Sequence, residues 1–169
     1  MIVLACEGQS EVILMNELLD SGSLSFTRKD VLDRMPIHLR QPNSIAPLIN
    51  ILDINEEIII YRIGDTQKDE FNTAVFGKIR EEHISVKRVC TTPEIEMLII
   101  INEHMFDEYM KVKSDISPKE FVKIHVKQYK SFAQYVQNHD MVYCIKEYKR
   151  LKKRSKGDLS LADLLKHEN

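Results

Sequence analysis

IVLACEGQSEVILMNELL, residues 2–19, passes from a continuous apolar run into a helical pattern across Glu7-Gly8-Gln9-Ser10. The run Ile2–Cys6 is short, apolar at every position and followed by Gly8, as a strand buried on both faces of a parallel sheet reads. Over 11–19 the side chains of Val12, Met15, Leu18 and Leu19 return at helical spacing and stop at Ser21-Gly22. That spacing predicts a helix. The strand runs straight into Glu7, Gly8 and Glu11 rather than into an ordinary polar turn. The purpose of those carboxylates depends on what else gathers at the same end of the fold.

The alternation continues downstream. Phe26–Met35 reads as a short helix with Thr27 placed to cap it, Ile37–Arg40 as a second strand, and Ser44–Leu52 as a helix started or interrupted by Pro47. Glu57–Ile63 is the clearest strand, closed by Gly64-Asp65. Phe71, Val75, Phe76 and Ile79 put a helix over Asp69–His83, and Ser85–Cys90 is a fourth strand stopped by Thr91-Thr92-Pro93. Helical patterns follow over Glu94–Val112, Pro118–Asn138 (with Ser117 and Glu120 as a capping box) and about Asp140–Lys153. After Gly157, Leu159–Leu165 reads as a short amphipathic helix. Strands alternating with helices through residue 90 predict an α/β fold: a central, mostly parallel sheet of about four strands flanked by helices, with a helical C-terminal extension. The 169 residues read as one domain, with the α/β core over 1–112 and the extension over 113–169.

Several classes drop out. The longest apolar runs, such as Ile58–Tyr61 and Met97–Ile101, are too short to span a bilayer, and the second reads as core. No basic region precedes Ile2-Val3-Leu4, so no signal peptide is expected. Cys6, Cys90 and Cys144 lack CxxC spacing and read as reduced core thiols of a cytoplasmic protein, with no zinc site expected. There is no GxGxxG, Walker or GxSxG motif to support dinucleotide binding, P-loop hydrolysis or serine-hydrolase chemistry.

In open parallel sheets ligands bind beyond the carboxyl ends of the strands, where the strand order reverses. That rule gathers Glu7 after the first strand, Asp65 after the third, and Glu94 and Glu96 after the fourth, with Asp69 and Glu70 at the start of the next helix. Mg²⁺ is held by one or two carboxylates plus waters and substrate phosphates, so several acids from different strand ends suit it. The plainer reading is that acids at helix starts complement the dipole and cap free N–H groups, which accounts for Glu11, Asp69, Glu70 and Glu94 individually. Glu7 resists it, because it ends a buried strand with only Gly8 after it.

Two motifs carry a resemblance. A strand ending in CEGQSE, residues 6–11, is similar to the N-terminal motif of Toprim (topoisomerase–primase) domains. TTPEIEMLIIINEH, residues 91–104, resembles the Pro-containing segment of RloB-like and related Toprim-like proteins of bacterial restriction and phage-defence loci. The resemblance implies a Toprim-like sheet and metal-dependent phosphoryl transfer. It implies Glu7 as general acid/base or metal-linked group, Glu11 as a second ligand or helix cap, Asp65 as the first aspartate of an Asp-x-Asp motif, and Glu96 as the glutamate after the Pro segment. Gln67 stands where the second aspartate would be, and Asp69 or Glu70 could substitute from the next helix.

The expectation is a Mg²⁺- or Mn²⁺-dependent nuclease or related phosphotransfer enzyme, with Glu7 and Asp65 catalytic and Glu7, Glu11, Asp65, Asp69, Glu70 and Glu96 as candidate metal ligands. The alternative is a catalytically weak Toprim-like module that binds nucleic acid or a partner protein in a defence complex. Expected partners are DNA or RNA and a protein such as a defence ATPase, with no membrane.

The net charge of −2 says little about nucleic acid, but its distribution says more. Lys149, Arg150, Lys152, Lys153 and Arg154 belong to a basic stretch interleaved with Tyr148 and Leu151, suited to tracking a phosphate backbone. A solvated helix face is the plainer reading. None of the six histidines has metal-motif spacing. His104 falls two turns after Glu96 on the same expected helix, sharing its face, with a structural histidine as the plainer reading.

Overall fold

The computed structural model describes residues 1–39, 42–65, 71–91, 94–151 and 158–167. It is an α/β fold around a five-stranded, all-parallel sheet. The strands are β1 (Ile2–Cys6), β2 (Ile37–His38), β3 (Ile58–Gly64), β4 (Ile84–Cys90) and β5 (Leu159–Ser160), in the order β2-β1-β3-β4-β5. The chain moves from β1 to one side for β2 and returns to the other side for β3. The strand order therefore reverses at the β1–β3 boundary, where such sheets bind ligands. The register sets Cys6 beside His38 and Ile63, and Gly64 beside Cys90, so the carboxyl ends of these strands finish level.

Side chains alternate across the pleat and load both faces. Leu4, Cys6, Ile63 and Val89 enter the larger core, built with helices α1 (Gln9–Asp20), α4 (Met97–Asn102), α6 (Pro118–His125), α7 (Phe132–Asn138) and α8 (Val142–Leu151). Val3, Ala5, Ile58 and Ile60 enter a smaller core with Leu32, Leu39, Phe76 and the Ile45 and Ile49 side chains around α2 (Ala46–Asn50). Met97, Leu98, Ile99, Ile100 and Ile101 are all buried, which makes α4 a central helix. α3 (Lys78–Glu81) and α5 (Phe106–Val112) are short. No helix among the described residues is long and apolar enough to cross a membrane.

β1 to β4 and α1 lie where the sequence puts them. α1 stops at Ser21-Gly22 because Gly22 takes a φ of 66°, so that the Ser23 and Gly22 N–H groups close on Leu18 and Leu19. Other expectations are corrected. The helix expected over 94–112 is two helices, because His104 adopts φ 58° and ends α4. The Met105 N–H then donates to the Ile100 carbonyl (2.9 Å) and the His104 N–H to Ile101 (3.0 Å), a Schellman closure without glycine. The helix expected over 118–138 begins with the Ser117–Glu120 capping box but breaks at a turn containing Gln128 (φ 65°), and Ser131 caps a second helix.

Phe26–Met35 holds two 3₁₀ turns, the first closed by a Thr27–Asp30 capping box. The helices expected over 44–52 and 69–83 shrink to α2 and to a 3₁₀ turn (Thr73–Phe76) followed by α3. Leu159–Leu165 supplies β5 and a 3₁₀ turn (Leu161–Leu164) in place of a helix, so the sheet has five strands rather than about four. The apolar residues Leu161, Leu164 and Leu165 fit one buried turn, and the pairing of Leu159 and Ser160 with Val89 and Cys90 holds the segment extended.

Candidate active site

Glu7 is pinned by its backbone between two strands. Its N–H donates to the Ile63 carbonyl (2.9 Å), and its own carbonyl accepts from His38 Nε2 (3.0 Å). A carbonyl can only accept, so Nε2 is the protonated ring nitrogen. The Glu7 carboxylate lies over Gly64, where any Cβ would collide with it. That position continues the row Ile58, Ile60, Arg62, so the carboxylate faces the smaller core. There it meets the buried Arg62, with Nη2 3.4 Å from Oε1, and Arg62 also stands 5.3 Å over the Phe71 ring.

Glu11 turns toward the other face. It lies in the first turn of α1, and Gly8 makes room for it, since a Cβ there would come within 2.6 Å of Glu11 Oε2. Thr91, buried at the end of β4, donates its hydroxyl to Glu11 Oε1 at 3.4 Å. Glu96 precedes the first residue of α4, and both carboxyl groups belong to residues only 8% and 7% exposed.

Burial raises the Glu11 carboxyl above its ordinary range. The charges of Asp65 and Glu96 add to the rise, while its own N–H and the Thr91 hydroxyl oppose it. Burial likewise raises Glu96, with Glu94 and Asp65 adding to the rise and Lys119 opposing it. Asp65, exposed just after β3, is thus close enough to act on both buried acids. Glu94 accepts the Lys119 N–H (3.1 Å) and ties the loop after β4 to α6. The Cys6 thiol is pushed far up by burial and by Glu11, so it stays neutral and unreactive.

The structure therefore draws Glu11, Asp65 and Glu96 into mutual electrostatic reach, and places Glu7 at the same sheet end but toward the opposite face. Asp69 and Glu70 lie outside the described residues, as do Gln67, Lys152, Lys153 and Arg154. Lys149 and Arg150 lie on α8 and are paired with acids, Lys149 with Asp163 (2.8 Å) and Arg150 with Glu147 (2.5 Å). His104 is removed from the face of Glu96 by the break after Asn102 and is exposed in its left-handed turn. Among the described residues no group of three or more His, Cys, Asp or Glu side chains is arranged to hold a metal ion.

Sequence reasoning missed Arg62, Thr91 and His38. Arg62 had a readable signal: a lone arginine inside the apolar run 58–63 must find a partner when the strand is buried. Thr91 read only as a strand stop, and His38 carried no signal. Set against known proteins, the chain matches no family model, no curated protein and no solved structure.

Proposed function

We propose that this protein is a Mg²⁺- or Mn²⁺-dependent nuclease or related phosphotransfer enzyme acting on nucleic acid, in a bacterial restriction or phage-defence setting and in the cytoplasm. The carrying observation is that two acids, Glu11 and Glu96, are buried at the carboxyl end of a parallel sheet beside its reversal point, with Asp65 following β3 at the same end. Buried acids held against one another are unfavourable unless a positively charged group or proton joins them.

The donor set fits a hard divalent cation. It consists of carboxylate oxygens, and Mg²⁺ needs only one or two of them beside water and substrate phosphates. Glu11, Asp65 or Glu96 would supply one or two of these ligands, since the described acids form no three-ligand group, with Asp69 and Glu70 as further candidates. A cation bound there would supply Lewis-acid polarisation of phosphate oxygens and activation of water. Thr91 orients the Glu11 carboxylate through its hydroxyl, and Gly8 keeps the space into which that carboxylate turns. Glu7, held by Arg62 and fixed at its backbone by Ile63 and His38, is placed to accept or return a proton at its carboxylate.

A second reading has its own support. Arg62 already offsets the Glu7 charge, and Gln67 replaces the second aspartate of the motif. Both features suit a catalytically weak module that binds nucleic acid or a partner protein, such as a defence ATPase. Cleavage assays on single- and double-stranded DNA and RNA with Mg²⁺, Mn²⁺ or EDTA separate the two. The nuclease reading expects metal-dependent cleavage that Glu7→Gln lowers by about 10²–10⁴-fold. Cutting that persists in both Glu7→Gln and EDTA would come from a contaminant. Metal-independent binding with no cleavage of any substrate would establish the module.

A further inference from the structure

The turn between α6 and α7 forms one side of a cavity of about 350 Å³, near the small end of the roughly 300–1,000 Å³ typical of small-molecule sites. Among its lining residues are Lys127, Gln128, Tyr129, Lys130, Gln134 and His139. The walls are held in place. The Tyr135 hydroxyl accepts from Asn102 Nδ2 (2.7 Å) and donates to Glu103 Oε1 (2.6 Å). His139 stacks on the Tyr135 ring at 4.0 Å, and its Nδ1 donates to the Tyr135 carbonyl (2.8 Å). The Tyr129 ring lies 6.5 Å from that of Tyr135, and the turn carrying it is closed by the Tyr129 N–H donating to Val126 (3.3 Å).

The lining chemistry is specific. Lys127 and Lys130 flank Tyr129 and are exposed, and among the described residues neither has an acidic partner. Two unpaired ammonium groups around an aromatic ring suit a phosphate joined to a flat base. The Gln128 and Gln134 carboxamides each offer both a donor and acceptor for base edges. Burial raises the Tyr129 phenol, with the Glu96 charge adding to the rise.

We infer that this cavity takes one unpaired nucleotide of a single-stranded nucleic acid, with its base against Tyr129 and its phosphate between Lys127 and Lys130. This rests on the nucleic-acid reading above and adds the substrate's form, because a paired, stacked base could not enter so small a recess.

The test measures fluorescence anisotropy of labelled short oligothymidylate, oligouridylate and a duplex of equal length, in EDTA so that no divalent cation takes part. Single strands should bind more tightly than the duplex. Tyr129→Ala should weaken single-strand binding roughly tenfold or more, and Tyr129→Phe should retain it. The exposed double variant Lys127→Gln/Lys130→Gln, which leaves the fold intact, should weaken binding and lower the slope of log affinity against log salt by about 1.4. Failure of the wild type to bind any oligonucleotide would overturn the inference, as would equal duplex binding or unchanged affinity in both the Ala and lysine variants. Metal-dependent cleavage lost in Glu7→Gln but undiminished in the pocket variants would leave the nuclease standing and sink this subsite. Single-strand binding lost in the pocket variants of a protein that never cleaves would do the reverse.

Discussion

The face of the sheet beneath α1, α4 and α8 and the face beneath α2 hold their carboxylates in opposite ways. On the first, a deep layer with Leu14, Met15, Ile99 and Val122 at no exposure supports Glu11 and Glu96, whose carboxyls are raised by burial and by neighbouring acids. On the second, a shallow layer leaves Ile51 and Ile79 exposed, and Arg80 closes the end of α2 by donating to the Leu52 and Asp53 carbonyls. There Glu7 is answered by Arg62. Deep packing tolerates acids that are only partly offset, by the Thr91 hydroxyl at Glu11 and by Lys119 near Glu96. The shallow face, with fewer buried side chains, carries a neutralised pair. Under the proposed function, the deep face would take the ligand and the other face would hold an oriented, charge-balanced pair.

The largest expected effect tests the packing difference. Ile99→Ala should cost about 3–5 kcal/mol in urea unfolding, and Ile49→Ala about 2–3 kcal/mol, within the known range for Ile→Ala, because the shallow layer can collapse around the void. Equal losses would mean that the two faces pack alike. The next effect is metal binding. Mg²⁺ or Mn²⁺ at about a hundredfold over Kd should stabilise the protein by about 2.7 kcal/mol, roughly 5–10 °C in Tm for a domain of this size. Asp65→Asn and Glu11→Gln should remove most of that shift, and Glu7→Gln less, since Arg62 already engages it. Glu147→Gln, paired with Arg150 on α8, should leave it unchanged. Identical shifts in all the variants would break the proposed joint site.

The smallest effect sharpens the contrast through pH. Both deep-face carboxyls are raised above their unfolded value of 4.5, so between that value and the raised one the folded state binds more protons than the unfolded. Stability from these groups therefore falls as pH rises through that window, and the loss is complete above it. Without metal, Glu11→Gln should be more stable than wild type near neutral pH by about 0.5–2 kcal/mol, as substitutions that exchange function for stability often are. The advantage should shrink as pH is lowered toward 4.5, followed by thermal unfolding across a pH series. A Glu11→Gln protein less stable than wild type near neutral pH would show that Thr91 and the helix terminus outweigh the repulsion.

Much of the frame was legible because its signals are local. Ile2–Cys6 and Ile58–Tyr61 declare themselves by unbroken apolar runs, Ser85–Cys90 by the Thr91-Thr92-Pro93 stop that bounds it, and Ser117–Glu120 declares a helix start. The breaks at His104 and Gln128 were hidden because apolar spacing resumes beyond each with no glycine or proline between. β5 was hidden because its two residues are a strand only by pairing with Val89 and Cys90, distant in the chain. Of the site, the acids after β1, β3 and β4 could be named from the strand-end rule, whereas Thr91 had no signature of its own.

By itself the sequence determined a parallel α/β sheet with carboxylates following its strands, because strand burial, helix capping and strand-to-helix succession are written in neighbouring residues. Only the tertiary structure decided that Glu7 turns to Arg62 while Glu11 and Glu96 share the field of Asp65 on the other face. It also decided that α7 brings Tyr135 and His139 against the α6–α7 turn, making a cavity. Those outcomes depend on the pleat, the level strand ends and the packing of helices far apart in the chain. Charge and shape act through space, so no spacing of residues could have stated them.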